Sequence, residues 1–324
     1  MTRDILTVAL AVPICLGFAA SEFWVLRHGW RALFPPPLRD RFIRWGWAEI
    51  ILAFVLLVLV PQFAFLLLKS IGLFQAVYGD DPDLAAPQSE LFQRCMYLWA
   101  ATLALPVATA ITLVLVRFIS GTRLRHFGLR RTRLPDRIAA GFVTWSFVAP
   151  LVFGVHFLIV YAQNYLLHWP VQKHPLEQLI VQDSRPAEWV LLVLQAVLFA
   201  PVWEELLFRG LLMPRLAKHA WGGHAAMIAA LLLAGLHLDR NRSLESAAPL
   251  IFVGLVWLVG GLATAGEAGP YRRRRAILGS ATLFAALHAN AWPSPIPLLF
   301  LGLALGWLAD RTRGIVAPIV LHGL

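Results

Sequence analysis

Three ionisable residues stand close together in the segment "VWEELLFRG" (202–210), near the end of a long apolar run. A charge at the bilayer centre costs at least about 2.5–3.5 kcal/mol, so such residues normally face a bundle interior and find partners. On an α-helix, Glu205 and Arg209 share one face, with the acid four residues before the base. The Glu204 side chain lies about 100° around the helix from that of Glu205, so Glu204 takes no part in this pair. The spacing predicts that Glu205 supports Arg209 and that Glu204 is free for chemistry.

Two histidines in later apolar segments extend this set. His288 lies in "LFAALHAN" and His322 in "APIVLHGL". At a rise of about 1.5 Å per residue, Glu204 and both histidines lie about 13–20 Å along their segments from the nearest arginine that bounds each segment, namely Arg215, Arg275 and Arg313. The three residues are therefore expected to share one layer of the membrane. A carboxylate and two imidazoles can activate water and protonate a leaving amine, with or without a metal ion. An ion pathway of a transporter uses the same residue types, as does a structural charge network.

The elements that hold these residues must be membrane helices. Hydrophobic residues make up 59% of the 324 positions and charged residues 14%, and the mean hydropathy is +0.69. Several windows exceed the roughly 18 apolar residues that cross a bilayer as a helix. We therefore predict an all-α polytopic transmembrane bundle with about 8–10 membrane segments. The candidate segments are 5–24, 47–70, 95–118, 140–166, 187–213, 224–237, 247–265, 276–290, 296–309 and 315–324.

The charges of the loops indicate how the chain crosses the membrane. Loops 27–45, 117–137 and 266–275 are basic, whereas loop 77–93 carries only acidic charges. The positive-inside rule places basic loops in the cytoplasm, so 77–93 is expected outside. The net charge of +10 is explained by this pattern, and no nucleic-acid partner is expected.

Three motifs in the second half of the chain resemble those of the CPBP family. These intramembrane proteases are related to the type II CAAX prenyl endopeptidases, and their pattern is EExxxR, then FxxxH, then HxxxN or HxxxD. The chain carries "EELLFRG", then "FAALH", then "GLALGWLADRTRGIVAPIVLH". The residues that match are Glu204, Glu205 and Arg209 in the first motif, Phe284 and His288 in the second, and His322 at the start of the third.

The resemblance implies peptide-bond hydrolysis in or near the bilayer, on a membrane protein or peptide. Glu204, His288 and His322 would activate the water, with Glu205, Arg209 and Phe284 supporting the site. Family members are usually called metalloproteases, so one expectation is a divalent metal such as zinc, bound by His288, His322 and Glu204. The other is a metal-free glutamate mechanism. The implied division is N-terminal transmembrane helices in 1–185 and a catalytic domain in 186–324.

The chain departs from the family pattern at two places. It stops at Leu324, before the Asn or Asp expected four residues after His322, and we expect the natural gene to continue and supply it. About fifty extra residues also separate the first two motifs, which leaves His237 in "LAGLH" as an alternative to His288. The composition, rich in Arg, Ala and Leu, indicates a bacterial inner-membrane protein. A catalytically silent scaffold and a proton-coupled transporter stay open as alternative functions.

Overall fold

The fold consists of helices throughout the part of the chain that the structure describes. The computed structural model describes residues 2–29, 34, 43–73, 90–129, 133–168, 186–238, 244–263 and 271–324. Within these ranges there are ten helices and no strands, which confirms the predicted all-α class. The helices are α1 Thr2–His28, α2 Trp47–Ser70, α3 Glu90–Ser120, α4 Leu134–Tyr161, α5 186–217, α6 Gly222–Gly235, α7 Leu244–Ala263, α8 Tyr271–Ala286, α9 Pro295–Thr312 and α10 Val316–Gly323.

Five of these helices are long and apolar enough to cross a membrane. The spans are Trp47–Ser70, Cys95–Ser120, Leu134–Leu166, Ala187–Ala217 and Ser246–Ala263. Only 11–33% of the residues in each span are buried inside the protein. Large apolar side chains such as Phe63 and Phe118 therefore lie exposed on the outer surface. Apolar surface this extensive is covered by lipid in a membrane protein. The chain is an integral membrane protein.

The helices α6, α8, α9 and α10 are not among these five candidate spans. α10 has eight residues and is about 12 Å long, well short of a hydrocarbon core of about 30 Å. α8 begins at Tyr271, earlier than the predicted segment 276–290, because the four arginines that follow continue its helix. α8 also ends earlier, at Ala286, so His288 lies in the turn after α8 and not inside a helix.

Small residues bring α8 close to its neighbours. A Cβ added at Gly302 would lie 3.1 Å from the Ala281 Cβ, and one at Gly306 would lie 2.8 Å from the Ile277 Cγ2. Both glycines are in α9 and both partners are in α8. Glycines four residues apart on one helix face permit such close helix packing. The short distance between α8 and α9 in turn positions the residues that flank the site.

The N-terminal helices hold both α5 and α10. Thr102 of α3 donates a hydrogen bond to Gln195 of α5 at 3.1 Å, and Cys95 donates to Glu188 at 3.6 Å. Both pairs are separated by 93 positions, so α3 and α5 run parallel, as two helices that both descend toward basic loops should. On α4, a Cβ at Gly141 would lie 2.6 Å from the Val320 Cβ of α10.

The predicted orientation can be tested by thiol labelling. Much of loops 27–45, 77–93 and 266–275 lies outside the described residues. In a Cys15→Ser background, we expect Pro82→Cys to react with an impermeant maleimide in intact cells. Arg125→Cys, in an exposed turn of the basic loop 117–137, should react only after permeabilisation. The native Cys95 is 1% exposed, and its labelling in the Cys15→Ser protein sets the background signal. The opposite labelling pattern would show that the orientation is inverted.

Candidate active site

The helix that carries the paired glutamates is not a regular α-helix. Within α5, π-helical segments Leu194–Phe199 and Leu206–Leu212 flank the α-helical segment Ala200–Glu205. Glu204 and Glu205 therefore lie at the junction between α- and π-helix. π-helical insertions are rare and occur frequently at functional sites. The sequence predicts a regular α-helix for this stretch, and only Pro201, which has no amide hydrogen, signals a local change.

Glu205 and Arg209 form the predicted ion pair inside the bundle. Arg209 Nη1 donates to Glu205 Oε1 at 2.8 Å, and both side chains are 0% exposed. Arg209 Nη2 donates to the Gly302 carbonyl of α9 at 3.1 Å. The guanidinium carbon lies 4.8 Å from the centre of the Phe284 ring, which adds a cation–π contact. A buried arginine is thus held by helices α5, α8 and α9 together.

His322 lies between the two glutamates. Its Nδ1 is 2.9 Å from Glu205 Oε1, and its Nε2 is 3.6 Å from Glu204 Oε2. The Glu205 carboxylate is paired with Arg209 and accepts, so the His322 Nδ1 carries the hydrogen and donates it. The other ring nitrogen is thereby directed to Glu204. Glu205 thus has a second partner that the spacing within α5 did not predict.

Phe284 packs against both histidines of the site. Its ring centre is 5.0 Å from that of His288 and 5.7 Å from that of His322, the latter nearly perpendicular at 88°. His288 Nδ1 is 2.9 Å from the Phe284 carbonyl oxygen, which only accepts, so Nδ1 donates and Nε2 is unprotonated in the neutral ring. Among the described residues, no hydrogen bond or ion pair links His288 to Glu204, Glu205 or His322.

His237 lies away from this cluster of contacts. It follows the end of α6 in an exposed turn, where its backbone N–H donates to the Ala234 carbonyl at 3.2 Å. None of the ring contacts or hydrogen bonds described for the site involves its side chain. The contacts of Phe284 therefore favour His288 over His237.

The comparison with known families agrees with the residues that meet here. Residues 186–266 and 257–324 match the family model described as type II CAAX prenyl endopeptidase Rce1-like. The C-terminal region of this chain is similar to that family. No curated protein and no solved structure gave a match. The region that matches the endopeptidase family contains α5 to α10, and with them every residue of the cluster around Phe284.

The donor atoms around Glu204 and His322 determine whether the metal implied by the resemblance to CAAX endopeptidases has a binding site here. No group of three His, Cys, Asp or Glu side chains in the described ranges is arranged to hold a metal ion. Glu205 Oε1 already accepts from Arg209 and His322. Glu204 and His322 face each other directly, whereas His288 is bonded to its own backbone. The residues do not assemble a three-ligand site, and metal analysis of the purified protein is the direct test of the predicted zinc.

Some residues that hold the candidate site have no signature in the sequence. The Gly302 carbonyl binds Arg209 through backbone alone, and any residue type supplies a carbonyl. Trp45, in the N-terminal part of the chain, donates a hydrogen bond from its indole N–H to the Leu211 carbonyl of α5 at 2.9 Å. A tryptophan in a basic loop gives no sign of this contact. The two π-helical segments of α5 are likewise not marked by any apolar periodicity.

Proposed function

We propose that this chain is an integral membrane endopeptidase that hydrolyses a peptide bond of a membrane-associated protein or peptide. The arrangement of Glu204, His322, Glu205 and Arg209 carries the proposal. One carboxylate is locked by a buried arginine and orients an imidazole, and the second carboxylate faces that imidazole at 3.6 Å. Glu204 keeps 22% of its side chain exposed, so water can reach it. The match of the C-terminal region to a protease family supports the same reaction.

Glu204 acts as the general base in this proposal. Its carboxylate takes a proton from a water molecule while the water oxygen bonds to the carbonyl carbon of the substrate peptide. The C–N bond then breaks, and the proton held by Glu204 passes to the leaving nitrogen, which departs as an amine. The products are a carboxylic acid and an amine, and the Glu204 carboxylate is regenerated.

The two histidines complete the proposed site from the other helices. The bond from His322 to Glu205 fixes the ring, so that Nε2 faces Glu204 and the water bound there. His288 presents an unprotonated Nε2, because its Nδ1 is bonded to the Phe284 carbonyl. Once protonated, either ring can donate a hydrogen bond to the negative oxygen that develops on the substrate carbonyl. Phe284 keeps both rings in place through its packing contacts.

The surroundings of the site suggest the substrate class and the membrane. Glu204 lies within the apolar span Ala187–Ala217, so a substrate must reach it at the bilayer. The composition supports a bacterial inner membrane, where prenylated substrates are not expected. We therefore propose membrane-bound peptides or proteins without a prenyl group as the substrates.

The proposed reaction can be tested with reconstituted protein. The whole chain in proteoliposomes is incubated with a library of membrane-inserting peptides in ¹⁸O-labelled water, and the products are read by mass spectrometry. We expect new peptide C-termini that carry one ¹⁸O atom. Intact peptides at every condition would favour the scaffold alternative. Proton flux without cleavage would favour a transporter.

The choice between the two candidate histidines gives a separate prediction. His288→Ala removes a ring that packs on Phe284, and we expect cleavage to fall by about 10²–10³-fold, the range for loss of a donor to the developing oxyanion. His237→Ala is the matched control at an exposed turn and should leave the rate within twofold. Initial rates on one identified peptide measure both variants. Loss of cleavage with His237→Ala alone would reverse the assignment.

A further inference from the structure

The last turn of α10 touches the backbone of α5 at a single glycine. A Cβ added at Gly323 would lie 2.4 Å from the Val197 carbonyl oxygen and 3.4 Å from the carbonyl carbon. A real Cβ does not come this close to an oxygen atom, so only a residue without a side chain fits. The hydrogen that occupies the Cβ position of Gly323 therefore points at the Val197 oxygen. The neighbour is a backbone atom, which cannot rotate away as a side chain can.

A proline occupies the position from which an α-helix would supply the donor to the Val197 carbonyl. In an α-helix, the carbonyl of Val197 would accept from the amide of residue 201. Residue 201 is Pro201, which has no amide hydrogen. Val197 also lies in the π-helical segment Leu194–Phe199, where the helix is widened. A Cα–H group directed at such a carbonyl is a weak hydrogen bond that recurs where helices pack closely.

A neighbouring face of α10 is held in a similar way by α4. A Cβ at Gly141 of α4 would lie 2.8 Å from the Ala317 carbonyl oxygen and 2.6 Å from the Val320 Cβ. α10 is thus held between the backbones of α4 and α5. It has eight residues, and His322 directly precedes Gly323. A displacement of the last turn of α10 away from α5 must move His322 with it.

We propose that Gly323 is a positioning residue for His322. It seats the last turn of α10 on the Val197 carbonyl, whose α-helical donor position is occupied by Pro201, and this holds His322 between Glu205 and Glu204. The proposal rests on the proposed function only where it concerns turnover. The position of the imidazole is a structural claim that can be measured without any substrate.

The first test is Gly323→Ala in the whole chain, reconstituted in nanodiscs with ¹⁵N-labelled histidine. In the wild type, the His322 Nδ1 proton bonded to Glu205 should give a downfield resonance, assigned by its loss in His322→Gln. We expect Gly323→Ala to lose this resonance while it stays folded. On an identified peptide, kcat should fall about 100-fold, as for a group displaced by about 1 Å, with KM within twofold. An unchanged resonance in folded Gly323→Ala would overturn the proposal.

Two further variants separate the backbone contact from other effects. Gly154→Ala is the matched control, because a Cβ there meets nothing within 4 Å, and the resonance and kcat should stay as in the wild type. Val197→Ala shortens only the side chain of the residue that provides the carbonyl. It should leave the resonance in place and should not rescue Gly323→Ala. Rescue by Val197→Ala would show that the contact is with the side chain and would contradict the proposal.

The contact can also be tested from α5 if Gly323→Ala does not fold. Pro201→Ala returns an amide hydrogen that competes for the Val197 carbonyl, and we expect the same loss of the His322 resonance. A resonance that persists in Pro201→Ala would overturn the proposal in that case. If neither the wild type nor any variant cleaves a peptide while the resonances still change as expected, the positioning of His322 by Gly323 stands and the proposed function fails. The two failures are therefore distinguishable.

Discussion

Replacing Glu204 by glutamine should abolish cleavage and leave a folded protein. Glutamine keeps the size of the side chain but cannot take a proton from water, so we expect kcat to fall by about 10²–10⁴-fold. Stability should change little, because Glu204 is partly exposed and its nearest charged partner, His322, is 3.6 Å away. Initial rates on an identified peptide and thermal unfolding in detergent measure the two effects. A thermal midpoint within a few degrees of the wild type is expected.

The control for this substitution is Glu22→Gln, at an exposed position of α1. It makes the same chemical change outside the site and should keep full activity. If Glu204→Gln retains cleavage while Glu205→Gln is folded and inactive, the roles of the two glutamates are the reverse of those proposed.

Replacing Glu205 by glutamine should destabilise the protein as well as inactivate it. Arg209 is 0% exposed, and its charge would lose the carboxylate that lies 2.8 Å away. Removing one partner of a buried ion pair costs about 3–5 kcal/mol, so we expect lower expression and a lower unfolding free energy. His322 loses its hydrogen-bond acceptor in the same step, so activity should fall even at temperatures where the variant is folded. Denaturant unfolding and rate measurements below the transition separate the two losses.

The double substitution Glu205→Met with Arg209→Met separates stability from activity. Replacing both partners of a buried pair by apolar residues of similar size is often neutral or stabilising. We therefore expect the double variant to regain most of the stability that Glu205→Gln loses. Its activity should stay low, because nothing then holds the His322 Nδ1. Recovery of both stability and activity would show that Glu205 acts only as the partner of Arg209.

The membrane class and the pairing within the first motif could be predicted from the sequence because both depend on local spacing. Long apolar runs predict membrane helices, since few other structures satisfy the hydrogen-bonding groups of the backbone in lipid. The four-residue spacing of Glu205 and Arg209 placed them on one face, and the pair forms even though π-helix begins directly after Glu205. The glycines of α9 were likewise predictable, because their spacing sets one face of a helix.

The contacts between helices could not be predicted in the same way. Nothing in the sequence states which carboxylate His322 approaches, since this depends on how α10 packs on α5. The charged start of α8 was also misjudged, because arginine side chains are long enough to continue an apolar helix to the membrane surface. His288 was consequently expected within a helix and lies in a turn. The π-helical segments depend on tertiary packing around Pro201 and leave no apolar pattern.

The close contact between α4 and α10 has a consequence for how this protein can change over generations. The region that matches the endopeptidase family begins at residue 186, yet Gly141 of α4 leaves no space for a side chain beside Val320. A recombination event at the start of that region would separate the two sides of this contact. A new N-terminal half with a larger residue at position 141 would displace α10 and the histidine on it. We therefore expect that exchanging the N-terminal half alone would disturb the site, and that substitutions at Gly141 and Val320 covary among related sequences.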